Sequence, residues 1–319
     1  MTTPTSPDRL PDSGAGRLAP TIDAIVGGDF SRSRLAALSD LDRASVSALR
    51  QRWLEIPPTE RHALLLALTE LATESVEFNF NRVCRIALGD PDPVIRQLAI
   101  GDLWEDQGPD LPRLYIELLR NDPSDDVRAA AADALSPTTD AIAEGEPSDI
   151  DRNELIDLFS SIVEDPAESP LVRRRSLGAI AAFGDDPRIP KLIRLALDED
   201  DQALVAGAIY AMGRTASERW IPELIDYLQS EDAELRFEAA RASGFIGDED
   251  VVRELADLVY DPDFEVRTAA LEALGAIGGT AAIRVLRQVE EDEEFEESEI
   301  VDDALDAALL TVNPLERQS

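Results

Sequence analysis

Three groups of side chains in this 319-residue chain could do chemistry or recognition: His62 with Cys84, the run Arg173-Arg174-Arg175, and the set Phe237-Glu238-Arg241. The first group is the chain's whole stock of imidazole and thiol, since His and Cys each occur once. A tetrahedral zinc cluster needs three or four such ligands, so a metal centre of that kind is excluded. His62 lies in Glu60-Arg61-His62-Ala63 near a helix start and reads as a surface residue. Cys84 alternates with core residues in Arg82-Val83-Cys84-Arg85-Ile86 and reads as a small buried hydrophobe. No phosphate-binding glycine loop, nucleophile elbow or dinucleotide fingerprint occurs. The acidic run at 290–299 lacks the glycine-turned, alternating ligand loop of a calcium site and reads as a solvated face. The expectation is a non-enzymatic protein with no catalytic, metal or cofactor residues. One thiol allows no internal disulfide, as in a cytoplasmic chain.

The arginine and aromatic groups need a frame, and the sequence supplies one by repetition. DPDFEVRTAALEALGAIGG at 261–279 and SEDAELRFEAARASGFIGD at 230–248 are two copies of one pattern: an acidic turn, a branched apolar residue, Arg, and an Ala-rich helix closed by Gly. A marker just after the branched residue falls at Arg96, Arg128, Arg173, Gln202, Arg236 and Arg267, with spacings of 32, 45, 29, 34 and 31. The long gap contains SPTTDAIAEGEPSD at 136–149, which reads as an inserted loop. Gly184, Gly213, Gly247 and Gly278 recur eleven residues past the marker, where a helix end favours a left-handed residue. Spacings of three and four, as in Val266, Ala269, Ala270, Ala273, Leu274 and Ile277, predict one buried stripe per helix. A preceding helix is equally periodic, as in Ile189 to Ile193 and Ile221 to Ile225. No strand pattern appears, so the predicted fold is an all-α solenoid of stacked antiparallel helix hairpins.

These units resemble the HEAT-repeat family, and in particular its short variety shared with relatives of the phycobilin lyases, whose second helix opens Val-Arg and ends Leu-Gly-x-Ile-Gly. The best copy runs from Val266-Arg267 to Leu274-Gly275-Ala276-Ile277-Gly278, and the resemblance covers roughly residues 90–312. It implies a stacked-helix scaffold and carries over no catalytic position. One HEAT-fold relative is an iron-dependent hydroxylase whose His-Glu pairs a chain with a single His cannot supply.

Residues 21–89 read as an N-terminal helical cap that is off-register with the array, with helices over 41–54, 59–74 and 80–88. Residues 1–20, with four Pro, read as a disordered tail without the apolar core of a signal peptide, and 313–319 as a C-terminal tail. Acids outnumber bases 66 to 30, a formal charge of −36, and Lys191 is the single lysine. Such self-repulsion is relieved when salt shortens the Debye length to about 3 Å at 1 M, and the composition is similar to that of halophilic archaeal proteins. It also argues against nucleic acid, whose phosphates require bases.

In such a solenoid the open face of the second helices is the binding surface. Arg174, Arg175, Gly178, Gly207, Phe237, Glu238 and Arg241 escape the buried stripe. Arg174, Arg175, Phe237, Glu238 and Arg241 are therefore the candidate partner-binding residues, with Phe237 as the anchor. Arg173 is expected to pair with acids of a neighbouring unit, and Trp104, Tyr210 and Trp220 to pack between repeats. The expected partner is a protein, held as a helix or extended peptide, with no nucleic acid or membrane partner and a monomeric free chain. An obligate subunit of a complex, or an enzyme akin to the phycobilin lyases, are the alternatives.

Overall fold

The computed structural model describes residues 14–292, 295 and 298–312. Residues 1–13 and 313–319, and part of the acidic run, lie outside them. Among the described residues there are helices and turns but no strand, so the all-α expectation is met. The chain forms two compact units, residues 1–134 and 135–319.

The first unit contains α1 (Gly14–Val26), α2 (Arg32–Ala36), α3 (Arg43–Arg52), α4 (Pro58–Glu74), α5 (Asn81–Ala87), α6 (Pro93–Asp102), α7 (Leu111–Asn121) and α8 (Asp125–Ala134). The second contains α9 (Ser136–Ala143), α10 (Arg152–Glu164), α11 (Pro170–Ile180), α12 (Ile189–Leu197), α13 (Gln202–Arg214), α14 (Ile221–Leu228), α15 (Ala233–Ile246), α16 (Val252–Leu258), α17 (Phe264–Ile277), α18 (Gly279–Glu290) and α19 (Ser298–Val312). In the second unit the Ala-rich helices α11, α13, α15, α17 and α19 pack in sequence against one another, while α10, α14 and α18 each pack against the helix that follows. Leu192, Ile193, Leu224 and Leu255 of the first helices are buried, as are Ala206, Ala239, Ala240 and Ala270 of the second, where α12, α14 and α16 pack against α13, α15 and α17. Small residues on one side and large on the other allow the close approach of a packed core.

The Asp-Pro-Asp turn has two separable jobs. Its second acid caps the helix: Asp263 accepts from the Glu265 and Val266 amides, Asp232 from Glu234 and Leu235, and Asp92 from Val94. Its first acid receives the arginine of the preceding unit. Arg96 sends Nε and Nη2 to the two carboxylate oxygens of Asp122 at 2.7 and 2.6 Å, and Arg236 does the same to Asp261 at 2.7 and 2.8 Å. The third guanidinium nitrogen, Nη1, returns to the arginine's own turn, bonding the carbonyl of Asp90 or Ser230. Each arginine thus ties two consecutive turns together in a planar fork that lysine could not reproduce. Arg173 keeps the same role with Glu199, 2.6 Å away, as expected for a ladder residue.

Several sequence expectations change. The ladder starts earlier than residue 90: Arg61 of α4 bonds the Ile56 carbonyl at 2.6 Å and pairs with Asp90 of the next turn at 2.7 Å. The stretch read as an off-register cap therefore carries a rung of its own. The marker of the fourth unit is Val205 rather than Gln202, because α13, α15 and α17 start 31 residues apart at Gln202, Ala233 and Phe264. That rung loses both partners together, with Val205 in place of Arg and Ser230 in place of the first acid. Residues 136–143, expected as part of a loop, form α9, with Pro137 at a first-turn position where a missing amide costs nothing. Residues 14–20, expected as part of a tail, belong to α1, and Leu18 is buried. Trp220 is buried and donates to Thr215, as a packing residue should, whereas Trp104 is 79% exposed.

Candidate functional site

Side chains from α11, α13 and α15, helices of three successive units, meet around Glu238. Position 237 precedes it on α15, and Arg241 and Phe245 follow one and two turns on, so the group shares one face of the helix. The Arg241 guanidinium lies 5.3 Å from the ring centre of Tyr210 on α13, 5.4 Å from Phe237 and 5.9 Å from Phe245. Tyr210 and Phe245 meet edge to face, with centroids 6.0 Å apart. Cation and rings attract through the ring quadrupole, so Arg241 holds together an aromatic patch contributed by two units.

Glu238 is the floor of this patch. It is only 5% exposed and faces Arg241 at 3.3 Å and Arg174 at 3.5 Å. Arg174 comes from α11 and also pairs with Glu234 at 3.5 Å, so its side chain passes over α13 to reach α15. Gly207 makes that passage possible: a Cβ there would stand 2.5 Å from the Arg174 Cγ. Gly178 does the same for Tyr210, whose ring edge would be 3.2 Å from a Cβ. The two glycines are thus spacers that let long side chains lie across the helices.

Burial pushes the Glu238 carboxyl above the ordinary glutamate value, against the opposing pull of Arg241 and Arg174 and with Glu234 adding to the rise. A carboxyl held this way binds its proton more tightly folded than unfolded. Its contribution is therefore most favourable at low pH and declines as pH rises from the unfolded value through the folded one. The Glu238→Gln variant should accordingly be no less stable than wild type at pH 7, with its melting temperature relative to wild type rising between pH 4 and pH 7. Thermal melts across that range test the sign, and a variant several degrees less stable at pH 7 would show that the ion pairs outweigh the burial.

Of the five predicted binding residues, Arg174, Phe237, Glu238 and Arg241 come together, and Arg175 lies exposed beside them, close enough to act electrostatically on Glu238. Glu238 departs from expectation, being buried rather than presented on the surface, because two arginines and the aromatic rings close over it. Phe237 is half-buried and Phe245 is 49% exposed. Tyr210 and Phe245 were not among the predicted binding residues. Phe245, four residues past Arg241 on α15, follows from helical spacing and could have been found; Tyr210 could not, because its meeting with Arg241 depends on how α13 and α15 slide against each other. α9 is anchored at the C-terminal ends of α11 and α13 by the Thr139 hydroxyl donating to the Ala179 carbonyl and by Asp140 pairing with Arg214 at 2.6 Å.

Cys84 is buried, its thiol pushed up by burial, and no group of three His, Cys, Asp or Glu able to hold a metal occurs among the described residues. No helix among them is long and apolar enough to cross a membrane.

The chain is similar in fold to the complex of CpcE and CpcF of phycocyanin lyase from a Nostoc species, with 19% identity, a TM-score of 0.50, and coverage of 84% of this chain and 96% of the other. Human deoxyhypusine hydroxylase in complex with glycerol shows 18% identity and a TM-score of 0.33 over 93% of this chain and 96% of its own. The Escherichia coli protein YibA shows 18% identity and a TM-score of 0.44 over 75% and 96%. No curated protein matches the sequence. The model of HEAT repeats matches residues 116–213, 190–263 and 221–301, together more than half of the chain. With the stacked hairpins and the arginine ladder, these matches place the chain in the HEAT-repeat family.

Proposed function

We propose that the protein is a non-enzymatic adaptor that binds a protein partner through the open face of α11, α13 and α15. The observation that carries this reading is the aromatic patch around Arg241, seated on a buried carboxylate that burial destabilises. A structural core would favour an apolar residue at position 238, whereas interface anchors combine aromatic rings and arginine over well-packed ground. A helix or extended peptide with an apolar stripe and a carboxylate would complement Phe237, Phe245 and Arg241. The acid excess and single lysine support a chain working in a salt-rich cytoplasm, where screening leaves short-range apolar and arginine contacts to provide affinity.

The test is affinity capture at high salt with wild type and the Phe237→Ala variant, followed by titration of the purified partner. Phe237 is half-buried at the rim, so the variant should fold normally. Its affinity should fall by about 2 kcal/mol, roughly 30-fold, as for an interface anchor. A partner retained with equal affinity by Phe237→Ala and by Arg241→Ala would place the interface elsewhere and end this reading.

A further inference from the structure

The inserted helix α9 lies on the face that carries the aromatic patch. Arg214 stands one turn beyond Tyr210 on α13, so the two side chains share a face of that helix. Arg214 is also nine residues past Val205, as Phe245 is nine past Arg236, which gives both the same position on neighbouring helices. Phe245 is half exposed, whereas Arg214 is covered: Asp140 of α9 accepts from its Nη2 at 2.6 Å and its Nη1 at 3.2 Å. α9 therefore occupies the stretch of this face next to the patch.

What holds α9 there is sparse. Within its eight residues only Thr139 is buried, and Ile142 is half-buried. The chain then turns at Gly145, with φ of 86° and open space around it, and residues 143–149 are all exposed. The extra residues fall only in the 45-residue spacing between Arg128 and Arg173, so the regular stack is built without such a helix. A segment seated by so few buried groups opens at much lower cost than the core helices beneath it. Arg214 can also give more than Asp140 takes. Its Nε is buried without an acceptor among the described residues, whereas the ladder residues Arg96 and Arg236 use all three guanidinium nitrogens.

We propose that α9 is a displaceable strap that regulates the groove: Asp140 holds the guanidinium of Arg214 until a carboxylate on an entering protein segment takes its place and lifts α9 away. The exchange swaps one carboxylate for another, so the driving force is what the segment adds, an acceptor for the Arg214 Nε and apolar contact with Tyr210 and Phe245. The identity of the incoming segment rests on the adaptor reading above.

The experiment is amide hydrogen exchange on the full chain, with titration by a blocked, dye-labelled peptide of residues 135–146, LSPTTDAIAEGE, as the carboxylate-bearing segment. In the wild type, α9 amides should exchange at least about a hundredfold faster than those of α11 and α13. Asp140→Asn should speed α9 by a further factor of about five, the loss of a partly exposed ion pair, and leave α11 and α13 unchanged. Thr139→Val is the second variant, and it too should speed α9 alone. The peptide should bind Asp140→Asn saturably at millimolar concentration and the wild type at least about fivefold more weakly, because the chain's own carboxylate competes there. It should not bind the Asp140→Asn, Arg214→Gln variant. α9 exchange as slow as that of α11, equal peptide affinity of wild type and Asp140→Asn, binding that survives Arg214→Gln, or no binding to any chain would each overturn the strap. None of these readouts uses the captured partner, so a failed capture would end the adaptor reading alone, and slow α9 exchange the strap alone.

Discussion

Asp90→Ala is expected to lower the stability of the first unit by about 3–5 kcal/mol, the cost of leaving a buried charge without its partner. Asp90 is 2% exposed and accepts from three donors, the Trp53 indole at 2.6 Å, Arg61 Nη2 at 3.1 Å and the Asp92 amide at 2.8 Å, with the Arg61 guanidinium in ion-pair contact at 2.7 Å. Removing the carboxylate strands the Arg61 guanidinium, itself 3% exposed, and an indole N–H, and neither can reach water without opening the α4–α6 interface. Asp92, two residues on, is half-buried and caps α6, and Asp92→Ala should cost only about 1 kcal/mol. Each variant removes one acid of the same turn, so their contrast separates the ladder from the cap. Urea unfolding with amide exchange over α4 and α6 is the measurement. Comparable losses for both variants would mean that the Arg61 pair contributes no more than a turn.

Acid should act on the Asp261 rung of this ladder. Burial alone would raise the Asp261 carboxyl, but the Arg236 fork and the Asp263 amide hold it below the ordinary carboxylate range. A depressed carboxyl stabilises above its unfolded value and loses that contribution as pH falls through the folded one. Asp261 and Glu238 therefore respond to acid with opposite signs, although both pair with arginine. The difference lies in geometry. Asp261 receives a two-pronged fork and an amide, whereas Glu238 faces two arginines at 3.3 and 3.5 Å without a fork.

The reason the fold was legible in the sequence is that one side-chain pattern, acid turn, arginine and alanine stripe, encodes both the cap and the ladder. Where both ladder partners are replaced together, as at Val205 and Ser230, the signal vanishes and the nearest polar residue, Gln202, takes its place in the reading. Arg61 was hidden for a related reason: its own turn is Ile56-Pro57-Pro58, with no acid, and its partner Asp90 sits 29 residues ahead. The helix at 136–143 was hidden because Ser, Pro and Thr mark a helix start as readily as a loop. At the candidate site, the clustering of Phe237, Glu238 and Arg241 follows from helical spacing alone. The closure of Tyr210 over Arg241 and the crossing of Arg174 over Gly207 depend on the axial stagger between helices, which no single-helix pattern carries.

The glycines show the same limit and give the second large effect. Gly213 and Gly247 look alike in sequence as helix-closing residues, yet only Gly247 is one, with φ of 74°. In the fourth unit the equivalent left-handed position is Ala216, with φ of 49°. Gly213 lies inside α13, where a Cβ would stand 2.5 Å from the Ala242 Cα and 3.1 Å from its carbonyl oxygen. Those atoms are α15 backbone and cannot turn aside as a side chain could, so Gly213→Val must push the two helices apart. Gly244 against Ala273 and Gly275 against Ala304 repeat the contact 31 residues on each time. This series is a row of close backbone approaches that sets the spacing of the stack. Gly213→Val is expected to cost about 3 kcal/mol or more, at the upper end of core overpacking. Gly247→Ala, with open space around it, should cost only about 1–2 kcal/mol of left-handed strain. Because Arg241 and Tyr210 sit on the two helices being separated, Gly213→Val should also loosen the aromatic patch and weaken partner binding, whereas Gly247→Ala should leave it intact. Chemical denaturation and partner titration of both variants decide it, and equal losses from the two would assign Gly213 to the helix end after all.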